Sequence, residues 1–285
     1  MMITGTTQNL GVIGWPIAHS LSPVLQNAAI DKSNIDYNYT ALPVQPEDLP
    51  AAVAGLKALH YRGWNVTIPH KSAIMPLLDE IDEAAKIIGA VNTVVNDNGK
   101  LTGYNTDCLG FMGALVSRKI DMSNKLAVLL GAGGAARAVI WGLIKAGAGE
   151  VVLGVRNPAK AQPLADEFSA YGKVTVCHWE DAAFAEKLQA ADLLVNTTPL
   201  GMTPKVEECP PVDWSKVKAD AFVYDIIYTP AETRFLREAR EHGHKTVNGE
   251  EMLAGQGAAA LKMWTGIEPD LSCMQEALRQ ALTDK

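Results

Sequence analysis

The feature that most constrains the fold is the run Lys125-Leu126-Ala127-Val128-Leu129-Leu130, which passes straight into Gly131-Ala132-Gly133-Gly134-Ala135-Ala136. A short, unbroken apolar run of this kind is a strand buried on both faces, as in a parallel sheet. The glycines after it match the G-x-G-x-x-G/A fingerprint through Gly131, Gly133 and Ala136. The first of these positions permits a tight turn, the second lets backbone approach a pyrophosphate, and the third must be small so that helix and strand can pack. Free N–H groups and the positive end of the helix dipole then face the anion. A glycine-rich turn can merely connect a strand to a helix, but here it stands between the two in the context a dinucleotide site requires. About twenty residues on, where a carboxylate would bind a ribose 2′-hydroxyl, the chain has Val155-Arg156-Asn157 and then Lys160. Two cations and no acid favour a 2′-phosphate, hence NADP over NAD. A solvated helix start is the plain alternative for Arg156 and Lys160.

Around this motif, short apolar runs alternate with helical stretches, which predicts an α/β chain with mostly parallel sheets. Strands are expected at 10–14, 37–42, 63–68, 90–96, 100–104, 125–130, 150–155, 193–196 and 222–227, with a hairpin turn at Asp97-Asn98-Gly99. Helices are expected at about 46–59, from His70 into the acidic stretch 79–83, from Asp107 to Lys119, after the glycines, and over 250–264 and 271–282. Ser22 and Pro23 have the signature of an N-cap followed by a first helical proline. At 285 residues the chain has room for two domains.

The 25 basic and 32 acidic residues form no basic stripe, which argues against nucleic acid and anionic membrane as partners. No run reaches the length of a membrane span. The four cysteines, at 108, 177, 209 and 273, have neither metal nor redox spacing and read as reduced thiols of a cytoplasmic protein. His19 and His70 have no metal or triad spacing and read as structural. His242 and His244 read as an exposed turn. No metal site is expected. Oligomeric state is not legible, and a homodimer stays open.

Polar clusters punctuate the N-terminal half. Ser20 and Ser22 are two apart, so in an extended segment their hydroxyls would share a side. Lys71 follows Pro69-His70 at a predicted helix start, where the dipole and desolvation in a cleft would both depress an ammonium towards acid/base duty. As a bland alternative it is a surface lysine. Asp107 caps the next helix or serves chemistry. Taken with AHSLSP, NVTIPHK, GAVNTVV, GYNTD, GAGGAAR, NTTPLGM, DIIYTP and MLAGQGAAALKMWTG, in order over residues 10–266, the chain resembles the shikimate dehydrogenase family.

The resemblance implies NADP-dependent, reversible reduction of 3-dehydroshikimate to shikimate, a step of aromatic amino-acid biosynthesis. It implies a substrate domain from residues 1–106 and 248–285, and a Rossmann-type dinucleotide domain over 107–247. It pairs Lys71 with Asp107 as the catalytic dyad. It gives Ser20, Ser22 and the Tyr228 hydroxyl to the substrate carboxylate, and Asn65, Thr67, Asn92 and Gln256 to the ring hydroxyls. Ser22 as a helix cap, Tyr228 as an ordinary half-buried tyrosine and Gln256 as a packed core amide are the structural alternatives. It places Gly131, Ala132, Gly133, Gly134, Ala135, Arg156, Lys160, Thr197, Thr198, Met202, Ile226 and Gly249 along the cofactor. The chain departs from the family's usual residues at Val155, Asn157, Cys108 and Glu250-Glu251. The rivals are a quinate/shikimate dehydrogenase with NAD or dual cofactor use, and a silent sensor that kept the fold.

Overall fold

The structure, a computed structural model, describes residues 3–283. Its strands are β1 (Gln8–Gly14), β2 (Tyr37–Pro43), β3 (Gly63–Val66), β4 (Glu80–Ile81), β5 (Thr93–Asp97), β6 (Lys100–Tyr104), β7 (Leu126–Leu130), β8 (Glu150–Val155), β9 (Val174–His178), β10 (Leu193–Asn196), β11 (Phe222–Asp225) and β12 (Lys245–Val247). Its α-helices are α1 (Ser22–Ser33), α2 (Leu49–Ala58), α3 (Glu83–Ile88), α4 (Asp107–Ser117), α5 (Gly134–Lys145), α6 (Pro158–Phe168), α7 (Ala182–Ala190), α8 (Arg234–Glu241), α9 (Glu250–Thr265) and α10 (Leu271–Thr283). They form two compact units, one from residues 1–110 and 253–285, the other from residues 111–252.

The sheet of the discontinuous unit runs β2-β1-β3-β5-β6-β4. β1 is parallel to β2 and β3, whereas β5 is antiparallel to both β3 and β6. The hairpin is set by Asn98 and Gly99, both at positive φ (52° and 92°), between the paired Asp97 and Lys100. Alternation along β1 builds two cores. Leu10 and Val12 join Leu25, Ile30, Trp264 and Met274, while Ile13 joins Val53, Trp64, Val66 and Val94 on the other side. Gly63 leaves room for the indole of Trp264, whose Nε1 donates to the Val94 carbonyl at 2.9 Å.

The predicted helix from His70 does not form. Residues 71–78 are turns with a short 3-10 turn at Met75–Leu77, β4 follows, and α3 begins only at Glu83. Pro76 lacks the N–H such a helix would need, and the Asp79 carboxylate instead accepts from the Leu101 N–H at 2.7 Å. Ser22 is the first residue of α1 rather than its cap. Leu21 holds that place, in a helical conformation (φ −93°, ψ −1°), so residues 20–22 are not extended, and strand alternation does not put the two hydroxyls on one side as expected.

The continuous unit has an all-parallel sheet, β12-β11-β10-β7-β8-β9. Numbered within the unit this is 6-5-4-1-2-3, the doubly wound order in which ligands bind beyond the strand C-termini where the order reverses. That point lies between β7 and β10. The apolar run predicted as a buried strand is one: Ala127, Val128, Leu129 and Leu130 are all fully buried. His244 is buried rather than in an exposed turn, its ring 5.7 Å from that of Trp214.

Candidate active site

In the discontinuous unit, Lys71 Nζ donates to Asp107 Oδ2 at 2.5 Å. Lys71 sits in a turn and not at the helix start expected from the sequence, so no helix dipole acts on it. Its place is held by neighbours: its carbonyl accepts from the Val91 N–H, and the buried His70 beside it donates through Nε2 to the Val44 carbonyl at 2.8 Å. Asp107 is the first residue of α4, but it does not cap the helix. Asn105 Oδ1 accepts from the N–H groups of Asp107 and Cys108, which leaves the Asp107 carboxylate to face Lys71 and the Asn92 amide. An acid in the first helical turn is also favoured by the dipole.

Behind the pair lies a closed polar network. Asn92 Nδ2 donates to Asp107 Oδ1 (2.9 Å) and Thr106 Oγ1 (3.0 Å), while Asn92 Oδ1 accepts from the Thr106 N–H (2.7 Å). Asn65 Nδ2 donates to the Asn92 carbonyl and to Thr93 Oγ1, both at 3.0 Å. Asn65 and Asn92 are buried, so these bonds fix both amide orientations. The structure thus joins Lys71, Asp107, Asn92 and Asn65. Ser20 stands apart, its Oγ accepting from the Ser22 N–H at 3.3 Å. Thr67 is half-buried and packs over Gly14, where a Cβ would meet its methyl. Gln256 is buried and its amide donates within its own helix, to the Leu253 carbonyl.

In the continuous unit, a cavity of about 540 Å³ lies at the switch point, lined by Gly131, Ala132, Gly133, Arg156, Lys160, Thr197 and Thr198. Gly131 has φ +103°, and a Cβ there would lie 2.7 Å from the Thr198 methyl. Gly133 and Gly134 face open space, so their backbone is free to meet an anion at the start of α5. This cradle, with two exposed cations beside it, fits a phosphorylated dinucleotide. Asn157 is conservative in physical terms, since its Oδ1 caps α6 by accepting from the Lys160 N–H. Gly134, Ala135, Met202, Ile226 and Gly249 are outside the lining. Gly249 is required by packing, because a Cβ would meet the Ile226 carbonyl. Tyr228 is half-buried, and burial pushes its phenol up.

Sequence reasoning missed three contributors. Trp179 lines the cavity at the end of β9, a strand whose mixed residues carry no clean alternation. Asp225 is fully buried and accepts from Asn196 Nδ2, the Ile227 N–H and Thr233 Oγ1, and Asn196 Oδ1 in turn holds Thr198. One carboxylate therefore ties the Thr197-Thr198 loop to the segment leading to Tyr228, and burial pushes it up to about 6. The third is Tyr39, whose hydroxyl donates to Asn65 Oδ1 at 2.7 Å. Burial pushes Cys108 up to about 11, which keeps it a neutral thiol. Glu251 opens α9 in a bidentate ion pair with Arg118, which accounts for that departure from the family. Among the described residues no group of three His, Cys, Asp or Glu side chains could hold a metal, and no helix is long and apolar enough to cross a membrane.

Similarity to known proteins extends along most of the chain. Residues 12–94 match the shikimate dehydrogenase substrate binding domain, 125–213 an NADP oxidoreductase (coenzyme F420-dependent) domain, and 249–279 the shikimate 5′-dehydrogenase C-terminal domain. Shikimate dehydrogenase (NADP(+)) of Moorella thermoacetica is 46% identical, the match covering 99% of this chain and 96% of that one. The crystal structure of shikimate 5-dehydrogenase from Listeria monocytogenes in complex with shikimate and NAD superposes with a TM-score of 0.93, at 36% identity and 98% coverage of both chains. That from Thermus thermophilus in complex with NADP(H) and shikimate gives 0.87, at 39% identity, covering 97% of this chain and all of that one. A half-buried Lys–Asp pair in one unit, a glycine cradle with two cations in the other, and identity of this level from end to end have one reading: the chain belongs to the shikimate dehydrogenase family.

Proposed function

We propose that this chain is an NADP-dependent shikimate dehydrogenase that interconverts 3-dehydroshikimate and shikimate in aromatic amino-acid biosynthesis. The observation that carries the reading is the Lys71–Asp107 pair, backed by Asn92, in a chain of this family. NADP, when bound, gives or takes the hydride through its nicotinamide. Lys71 Nζ moves the proton of the reacting hydroxyl: it takes that proton on oxidation and returns it on reduction. Asp107 holds the lysine in place and accepts from a ring hydroxyl. Asn65, Asn92, Thr67 and Gln256 serve the remaining hydroxyls, and Ser20, Ser22 and Tyr228 the carboxylate. Gly131 to Ala135 cradle the pyrophosphate, and Arg156 and Lys160 hold the 2′-phosphate. Thr197, Thr198, Met202, Ile226 and Gly249 complete the cofactor's surroundings. Action in the cytoplasm is supported by four free cysteines.

The test is absorbance at 340 nm with shikimate or quinate crossed against NADP or NAD at matched concentrations. Turnover mainly with shikimate and NADP supports the reading. Turnover mainly with quinate or NAD would move the enzyme to the broader class, and none in any pair would remove catalysis.

A further inference from the structure

Among the described residues that line the cavity at the switch point, Trp179 is the one aromatic side chain. It follows His178 directly at the end of β9, and its N–H donates to the Val155 carbonyl at 3.2 Å. In the register of β8 and β9, Val155 is opposite His178, so Arg156 and Trp179 are the next residues out on adjacent strands.

The indole is set by what β8 lacks. At Gly154, inside that strand, a Cβ would lie 2.5 Å from the Phe184 ring and 3.3 Å from Trp179 Cδ1. Glycine in a strand interior marks a close approach of this kind. The pyrrole edge of Trp179 is thus turned onto the sheet, and its Nε1 is buried there with no acceptor among the described residues. An unpaired buried N–H is unfavourable, so the N–H is not what this position uses. What tryptophan supplies is ring area: the side chain is half-buried, and the part left accessible lines the cavity.

The neighbouring cations say what that ring would meet. Arg156 and Lys160 are assigned above to the 2′-phosphate of NADP. Of the two ribose carbons bonded to C2′, one carries a hydroxyl and the other carries adenine. Only adenine presents an aromatic plane to an indole, and a purine stacks well on such a ring. We infer that Trp179 is a further cofactor-binding residue, which stacks the adenine of NADP and is held in place for it by the gap at Gly154. The inference rests on the cofactor reading above.

The test uses 2′,5′-ADP, which has the adenine, the ribose and the 2′-phosphate but no nicotinamide, so that binding is read by calorimetry without turnover. Trp179→Leu removes the aromatic plane and should weaken 2′,5′-ADP about tenfold to hundredfold, the scale of one base–aromatic stack, with the KM for shikimate nearly unchanged. Trp179→Phe keeps a plane and should bind it within about threefold of wild type. Stacking on the indole should also quench part of the wild-type tryptophan emission, and in Trp179→Phe that quenching should vanish while binding persists. A leucine variant within about twofold of wild type overturns the inference, as does a phenylalanine variant as weak as the leucine one. So does quenching that persists in Trp179→Phe, or a shikimate KM that rises in step with the lost affinity, which would mean general loosening. Wild-type protein that binds neither NADP nor 2′,5′-ADP would overturn the cofactor reading instead.

Discussion

Replacing Lys71 by Met keeps most of the side-chain volume and removes the ammonium. A positioned acid/base group contributes typically 10²–10⁴-fold, or about 3–5 kcal/mol of barrier at 1.36 kcal/mol per decade. The structure places this case in the upper half of that range. The imidazole next in the chain, His70, is 1% exposed and its Nε2 is committed to the Val44 carbonyl, so it cannot take over the proton. Asp107 keeps only an amide donor, Asn92 Nδ2, which carries no transferable proton at neutral pH. We therefore expect kcat to fall about 10³–10⁴-fold, with the KM for NADP unchanged, since the residues assigned to it belong to the other unit. The Lys71 and Asp107 side chains are 29% and 15% exposed, so the lost ion pair should lower stability by about 1–2 kcal/mol, between the values for surface and buried pairs. Steady-state kinetics at 340 nm and thermal melting read both quantities. A kcat within tenfold of wild type, or a large rise in shikimate KM at normal kcat, would refute the assignment of the proton to Lys71.

Arg156→Ala should raise the KM for NADP about tenfold to hundredfold through loss of one charge-assisted contact, and change that for NAD less than twofold; equal losses would remove the 2′-phosphate assignment. Gly131→Ala places a methyl 2.7 Å from the Thr198 methyl at a φ of +103°. Strain of about 1–3 kcal/mol should weaken NADP binding, read by fluorescence titration, while the isolated affinity for shikimate stays as it was. Asp225, raised to about 6, penalises the fold when ionised, so on this group alone stability rises as pH falls from above 6 towards 4. Asp225→Asn keeps the two bonds to Oδ1 and reverses the third, its NH2 donating to Thr233 Oγ1, and should raise the melting temperature at pH 8 but not at pH 4. Equal shifts at both would show that the carboxylate is not the source of the cost.

The parts of the fold that were legible are those where one physical signal dominates. The β7 run is continuous and apolar, the glycines need one backbone shape, and Asn98-Gly99 supplies two positive φ values in succession. Residues 71–82 misled because Ile74, Met75, Leu77 and Leu78 have helical spacing, while Pro76 and the tie from Asp79 to Leu101 decide the local geometry. Tertiary pairing overrode a local pattern. The reactive pair was visible only as residue types in family motifs. That Asn105 does the capping, leaving Asp107 free, depends on which of two neighbouring side chains turns towards the helix, and both Asn and Asp cap well. Tyr39 was invisible for a different reason: a tyrosine in an alternating strand looks like any packed aromatic until its hydroxyl has partners 26 residues away.

The division of one unit between the two ends of the chain bears on how the protein emerges from the ribosome. The core that holds Leu10, Leu25, Ile30 and Tyr39 is completed by Trp264 and Met274. At translation speeds of about 5–20 residues per second, roughly ten to fifty seconds separate the synthesis of its two halves. Residues 111–252 leave the ribosome as one uninterrupted stretch and can bury their own core within that interval. The N-terminal strands meanwhile wait with an apolar face uncovered, and β2, at the sheet edge, has Asn27 to occupy the backbone groups of Tyr39. The middle of the chain is thus free to fold first, and the unit that carries the reactive lysine can complete its core only once Trp264 and Met274 have emerged.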